Sequence, residues 1–522
     1  MNDVFLYPLQ NSKEYKDIIN CIKNTKGSLL VNGLLPVQKP HISYSIFNDL
    51  SRQMIFITSS DLEAKKVYED LSFYMEDKVE YLGFQDIYFY HLDAKDRNEE
   101  AKKLKVLLKL ANKEKIILVT SIEAVLRKYI PKQVLLDSVS HYKVGDSLDL
   151  EKLTEKLVSL GYERVSKIEG FGQFSIRGGI IDVFSLEYTN PIRMELFDDE
   201  IDSIRTFDVY SQKSIDKLQQ FSITPSREFI YPEKTTDALV KLKKETTKNT
   251  DEGTFQNIDY ISSKTYFEGV ENYIDYIYPE ENKSIFTYLA DDAIVFINDI
   301  TRLKERCENY INEFRENYKL NLERGLAIKN QGKLLYHYTD LEYLVKDKSV
   351  VLNSLLPKSI NNFSIKSIIN FESREVPTFN RKVDLLVEEL NRLKYNGYKI
   401  ILATNTLERA NKLGKDLLDK GLETTISKDR DIEIKSSQVI IVPAHINSGF
   451  QYKSIKFVVI TDNEMIGVYK RASKTSNKKV KKGKKIESFL DLSVGDYVVH
   501  ENSGVGRYTG IEQITVNAIK KD

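Results

Sequence analysis

The sequence predicts a multidomain α/β fold: α/β layers with an inserted β-rich domain, a second α/β domain, and the start of a small β-barrel. Three observations carry this. Short apolar runs alternate with amphipathic stretches over the first 140 residues and again from about residue 224 to 468, a strand-rich segment interrupts them, and a strand-glycine-strand rhythm closes the chain. At 522 residues the chain is also too long for a single hydrophobic core.

The elements follow in order. "MIFITS" (54–59) leads into "DLEAKKVYEDLSFYM", and "EKIILVTS" (114–121) into "IEAVLRKYI", each a buried strand feeding a helix, with Asp61 and Ser121 expected as the helix caps. Residues 1–140 therefore read as one α/β domain. From "HYKVGDSLDLEKLTEKLVSLGYERV" the pattern changes to one helix followed by strands, a compact β-rich domain over 141–223. Alternation resumes over 224–374, with "KSIFTYLA" and "AIVFIND" as expected strands and "ITRLKERCENYINEFRENYKLNLERGL" as a long helix, completing the first layer. A second α/β domain over 375–468 contains the helices "RKVDLLVEELNRLKYNG" and "LERANKLGKDLLDKG" and the strands "YKIILAT", "QVIIVPA" and "KFVVITD". Nine Lys/Arg and no acid between Lys470 and Lys485 mark a flexible basic linker, 469–486. Residues 487–522 then read as a partial β domain, with "DYVVH" and "GRYTGIEQI" as strands about a turn at Asn502-Ser503-Gly504. So short a tail cannot bury a core alone, so the chain is expected to be a fragment of a longer protein.

Composition excludes several classes. Lys+Arg and Asp+Glu are both 77, so no global field steers the chain to nucleic acid or membrane, and positive potential is concentrated in the linker. Two cysteines, Cys21 and Cys307, offer neither a disulfide framework nor a zinc site. The six histidines (41, 91, 141, 337, 445, 500) are scattered singly and are expected to be structural, so no metal centre is expected. The N-terminus has no export signal pattern and no run of about 18 apolar residues occurs, which predicts a cytoplasmic protein without membrane contact.

"GLLPVQKP", Gly33 to Pro40, overlies the phosphate-loop pattern G-x-x-x-x-G-K-[ST] with two mismatches. Gly33 and Lys39 fit. Gln38 replaces the glycine beside the lysine, Pro40 replaces the magnesium-binding hydroxyl, and neither Pro36 nor Pro40 has an N–H to offer a phosphate. A degenerate, non-functional loop and no catalytic residues are expected. Asp462 and Glu464, the nearest thing to a metal-binding acidic strand end, are expected to be a solvated strand end.

In "NPIRMELFDDEIDSIRTFD" strand alternation puts Ile192, Met194 and Leu196 on a core face and Arg193, Glu195 and Phe197 on the other. Arg177, from "FSIRGGIIDVFS", joins them. An exposed aromatic beside arginine is the usual composition of an interface hot spot.

These residues also carry a family resemblance. "RGGIIDVF" followed by "PIRMELFDDEIDSIRTFD" and "SQKS" resembles the signature shared by the excision-repair protein UvrB and the transcription-repair coupling factor Mfd, and "VGDYVVHENSGVGRYTGIE" resembles the start of the RNA polymerase interaction domain of Mfd, which UvrB lacks. Having both in this order selects the N-terminal portion of the Mfd family. The degenerate loop fits the UvrB-like module of that family, and "YLGFQDIYFYHLDAKDRNEE" leaves no room for the long DNA-gripping hairpin of UvrB.

The resemblance implies that 141–223 is a UvrA-binding domain, with Arg177, Arg193 and Phe197 at the contact. It implies that the tail contacts the RNA polymerase β subunit through Tyr497, Val499, Arg507, Tyr508, Ile511 and Ile514. It places ATP and Mg²⁺ in a translocase motor outside this chain, with no cofactor in the chain itself, DNA contact mainly through that motor, and a C-terminal domain that covers the UvrA surface. The expected role is recruitment of UvrA to stalled RNA polymerase in transcription-coupled repair. Two other readings stay open: a UvrB-like ATPase or damaged-DNA binder with a working loop, and a DNA-binding arm formed by Lys470 to Lys485.

Overall fold

The computed structural model describes residues 3–24, 26–89, 97–355 and 363–466, together with four short strands between 497 and 521. The chain lays down four parallel strands first: β1 (Gly27–Asn32), β2 (Met54–Thr58), β3 (Val79–Leu82) and β4 (Ile117–Ser121). It then departs into β5 (Ser140–Lys143), β6 (Glu163–Arg164), β7 (Gln173–Arg177), β8 (Ile180–Val183), β9 (Ile192–Phe197), β10 (Glu200–Phe207), β11 (Ser214–Leu218) and β12 (Gln220–Ile223). It returns as β13 (Ile294–Ile297), β14 (Ser349–Ser354) and β15 (Ile365–Asn370), which join the first strands in one seven-stranded parallel sheet of order β15-β1-β14-β13-β2-β4-β3. β5 and β12 pair antiparallel where the insertion leaves and rejoins this layer.

Its central strands β1, β14, β13, β2 and β4 are buried on both faces, which is why β2, β4 and β13 read as near-continuous apolar runs. Along β2, Ile55 and Ile57 enter one core while Met54 and Phe56 enter the other. The second of these cores is shared with the next sheet, formed by β16 (Ser373–Arg374), β17 (Lys399–Thr404), β18 (Thr425–Ile426), β19 (Val439–Pro443), β20 (Phe450–Tyr452) and β21 (Phe457–Thr461) in the order β16-β20-β21-β17-β19-β18. Ile401, Ala403, Ile440, Val442, Phe450, Tyr452 and Val459 pack in the same cluster as Phe56 and Val119. Ile400, Leu402 and Ile441 face the other way, onto helices Val383–Tyr395 and Leu407–Asp419 through Leu386, Leu390, Ala410 and Leu417. The two α/β layers thus stand against each other through one apolar interior.

The inserted sheet, order β11-β10-β9-β8-β7-β6, is antiparallel except for the short β6–β7 pair. Its inner face, with Phe174, Ile181, Val183, Ile192, Met194, Ile201 and Ile204, packs on Leu153 and Leu157 of helix Leu150–Ser159. A one-faced apolar core of this kind gives the alternation seen in β7 and β9 and leaves the polar and charged side chains on the outer face. Beyond 466, β22 (Tyr497–His500) pairs antiparallel with β23 (Gly504–Arg507), and β24 (Ile514–Val516) with β25 (Ile519–Lys521).

The α/β multidomain reading holds, with local corrections. "KSIFTYLA" is not a strand: Ile285–Thr287 is a 3-10 turn started by Ser284, whose hydroxyl accepts from the Phe286 amide at 3.3 Å, and the run is apolar because Ile285, Phe286 and Tyr288 fill the core. The cap of helix Asp61–Met75 is Ser60, one residue earlier than expected, whose Oγ accepts from Glu63 N. Asp61 instead accepts the Tyr81 hydroxyl and the Phe84 amide. Ser121 occupies a cap position without making the side-chain bond. Of "GRYTGIEQI", Gly506 and Arg507 fall in β23 and Ile514 in β24, and the stretch between them lies outside the described residues. The linker expected at 469–486 lies outside the described residues.

Candidate docking site

The outer face of the inserted sheet carries the candidate site. Alternation in β9 turns Arg193, Glu195 and Phe197 outward, and register brings Asp182 of β8 and Arg205 of β10 opposite Arg193, with Lys217 of β11 opposite Arg205. The result is a cross-strand row of charges. Asp182 Oδ1 accepts Arg193 Nε at 2.6 Å, and Oδ2 accepts Arg193 Nη2 at 2.9 Å and Arg177 Nη2 at 2.7 Å. Arg193 Nη2 also donates to Gln212 Oε1 at 3.0 Å, and its guanidinium carbon sits 4.2 Å from the centroid of the Phe207 ring. These bonds to Asp182 raise the Arg193 pKa above its ordinary value, so the guanidinium stays charged. One step along the sheet, Arg205 Nη1 donates to Glu195 Oε2 at 2.8 Å and Nη2 to Oε1, a two-point pair that holds the Glu195 carboxyl below its usual range.

The three residues singled out in the sequence all lie on this face but not in the arrangement alternation suggested. Phe197 ends β9 with 79% of its surface exposed, beside the turn where Asp198 takes φ 59°. The Arg177 side chain is 49% exposed, whereas that of Arg193 is only 13% exposed. Arg193 was expected beside Phe197; it stacks on Phe207 instead, because Asp182 and Gln212 draw it across the sheet toward β8 and the 208–213 turn. Asp182, Phe207 and Gln212 were missed. Asp182 was legible as a carboxylate inside the apolar strand "GIIDVF", but its pairing with Arg193 needed the β8–β9 register.

The loop Gly33 to Pro40 is closed from within. Gln38 Oε1 accepts the Leu35 amide at 2.9 Å, the Gln38 amide donates to Leu35 O, and the Gly33 amide donates to Ser354 O. Amides that a phosphate would need are therefore already bonded. Gln38, Lys39 and Pro40 are all buried in the first turn of helix Gln38–Leu50. Gln38 Nε2 reaches Gln451 O at 3.3 Å, and Lys39 Nζ donates to Asn298 Oδ1 at 2.5 Å, with burial lowering its pKa. Gly33 has φ 82°, and a Cβ there would stand 2.2 Å from Phe371 O, so the chain just past β15, whose Phe371 amide donates to Asn32 O, closes over the start of the loop.

Asp462 and Glu464 are not the solvated strand end expected. Both are buried: Asp462 accepts Arg409 Nε at 2.5 Å and the Asn405 amide at 2.9 Å, and Glu464 Oε2 accepts the Gly449 and Thr461 amides and the Thr461 hydroxyl. Their role is to tie strand ends together. His41 is likewise a buried structural group, with Nε2 at 2.8 Å from Phe5 O and Nδ1 at 3.1 Å from Tyr452 Oη. Among the described residues no group of three His, Cys, Asp or Glu is arranged to hold a metal, and no helix is long and apolar enough to cross a membrane.

Of the tail residues, Tyr497 is 70% exposed in β22 and its ring lies 6.0 Å from the Arg507 guanidinium carbon in β23. Val499 and Ile514 fall in β22 and β24, while Tyr508 and Ile511 lie outside the described residues.

Comparison with known proteins adds two family matches: the UvrB interaction domain over residues 141–229, and the CarD-like/TRCF RID domain over residues 492–522. The first contains the whole inserted sheet. Along its length the chain is similar to transcription-repair-coupling factors. It is 29% identical to that of Bacillus subtilis (strain 168) over an alignment of 529 positions covering 98% of this chain and 44% of the relative. Identity is 28% to that of Staphylococcus haemolyticus (strain JCSC1435), with the same coverage, and 29% to that of Staphylococcus aureus (strain MRSA252), covering 95% of this chain and 43% of the relative. The chain thus spans less than half the length of these curated relatives.

Proposed function

We propose that this chain, which has the layout of the N-terminal part of the transcription-repair-coupling factors, is a docking platform whose inserted sheet binds UvrA and so links excision repair to stalled RNA polymerase in the cytoplasm. The observation that carries this reading is the outer face of that sheet: an exposed Phe197 and a half-exposed Arg177 on rigid strands, with the cation held by a buried carboxylate. Hydrophobic contact with the phenyl ring and charge-assisted bonds to a carboxylate on UvrA would share the binding energy. Phe197→Ala and Arg177→Ala should each weaken UvrA binding in a calorimetric titration by about 2 kcal/mol. Unchanged affinity in both, with melting behaviour unaltered, removes the assignment.

The match to the polymerase-interaction domain supports the RNA polymerase β subunit as a second partner, contacted through β22 and β23 by Tyr497 and Arg507. In this reading ATP-driven movement on DNA belongs to the part of the relatives beyond the aligned 44%, and this chain contributes recruitment.

A further inference from the structure

We infer that Asp182 is a positioning residue of the docking face: it stands under Arg177 and Arg193 and fixes where the exposed Arg177 guanidinium meets a partner's carboxylate. The inference rests on the docking reading above and adds to it a residue that touches no partner.

The geometry is specific. Asp182 lies at the middle of the sheet, opposite Ser175 on one side and Arg193 on the other, with only 3% of its side chain exposed. An ion pair in such a place is strong only if the remaining lone pairs are used, and here three N–H groups from two strands converge on the two oxygens. Arg193 is gripped at two points by Asp182, a third time by Gln212, and is backed by the Phe207 ring. Gln212 is itself locked, with φ 60° and its Nε2 donating to Val209 O at 2.8 Å. Arg193 therefore presents little surface and acts as a strut. Arg177 is joined to this framework through the bond from its Nη2, with half its side chain left toward solvent. The β7–β8 turn that carries it needs Gly178 at φ 60°.

Two accounts of Asp182 predict opposite signs. As a mere charge next to a cationic site, Asp182 opposes an acidic partner, so neutralising it should tighten binding. As a positioning group, its loss frees Arg177 to sample rotamers that must be ordered again on binding, so affinity should fall.

The test is the affinity of the whole chain for UvrA in wild type, Asp182→Asn, Arg177→Ala, Arg177→Lys, Phe197→Ala and the Asp182→Asn/Arg177→Ala double variant, with thermal melting as the folding control. Asp182→Asn is expected to bind about fivefold or more weakly, mostly through faster dissociation, and to cost much less once Arg177 is already absent. Should Asp182→Asn fail to fold, Arg177→Lys decides: it keeps the charge but not the planar fork, and is expected to bind about as poorly as Arg177→Ala. Equal or tighter binding by a folded Asp182→Asn, or wild-type binding by Arg177→Lys, overturns the positioning role while Phe197→Ala still reports docking. If neither Phe197→Ala nor Arg177→Ala weakens binding, the docking reading falls and takes this inference with it.

Discussion

Gln38 shows how a single side chain can close a site. Its carboxamide oxygen takes the Leu35 amide and its nitrogen takes Gln451 O, so a residue in the place of a loop glycine bonds a donor a phosphate would need and anchors the loop to the neighbouring layer. Lys39, the cation that should meet a phosphate, is turned into the interior against Asn298, which in turn donates to Glu63 Oε1 at 2.8 Å. The mismatches at 38 and 40 were visible in the sequence; the internal capping was not, because it depends on Gln451 and Ser354, hundreds of residues away. A fluorescent ATP analogue titrated with Mg²⁺ is therefore expected to show no saturable binding in the micromolar range, and a micromolar dissociation constant competed by ATP would overturn the closed-loop account.

At the scale of elements, the contact between the two α/β layers carries its own pH signature. Helix Gln38–Leu50 buries His41 against Phe5 and Tyr452, and burial pushes its pKa down to about 4. Helix Asp61–Met75 carries Asp70, which accepts Asn447 Nδ2 at 2.7 Å and whose pKa is pushed up to about 6, again by burial. The signs oppose. His41 favours folding in its neutral form, so its contribution is present above the usual imidazole pKa and is lost as pH falls through about 4. Asp70 favours folding in its protonated form, so its contribution is present below the usual carboxylate range and is lost as pH rises through about 6. Asp70→Asn should remove the second slope: stability at pH 7 in urea denaturation should rise by about 1–2 kcal/mol, and the climb between roughly pH 4 and 6.5 should steepen. A variant whose profile tracks wild type across that window would show that Asp70 ionises as freely folded as unfolded.

Legibility differed between elements for physical reasons. Strands buried on both faces, such as β2, β4, β17 and β21, announced themselves as apolar runs, and β7 and β9 announced themselves by alternation because only one face of the inserted sheet carries an apolar core. Ile285–Thr287 misled because an apolar turn in a core has the composition of a strand. Phe197 and Arg177 could be found from alternation, whereas Asp182, Phe207 and Gln212 belong to the site only through cross-strand register and a turn with Gln212 at φ 60°.

At the scale of the whole molecule, the α/β layers serve as scaffold and the inserted sheet as surface. The first layer is completed only when β13, β14 and β15 return after the insertion, so the inserted sheet is joined to that layer at both of its chain ends, where β5 and β12 pair with each other. A docking face mounted this way loses little freedom on binding, which favours affinity from a small number of exposed groups. If the inserted sheet docks UvrA as proposed, its likeness to the UvrB interaction domain over 141–229 predicts that it competes with UvrB for the same place on UvrA. The most direct measurement is displacement of fluorescently labelled UvrB from UvrA by increasing amounts of this chain. The account predicts concentration-dependent release by the wild-type chain and little or none by Phe197→Ala; undiminished UvrB binding at saturating wild-type chain, or equal release by the variant, would contradict it.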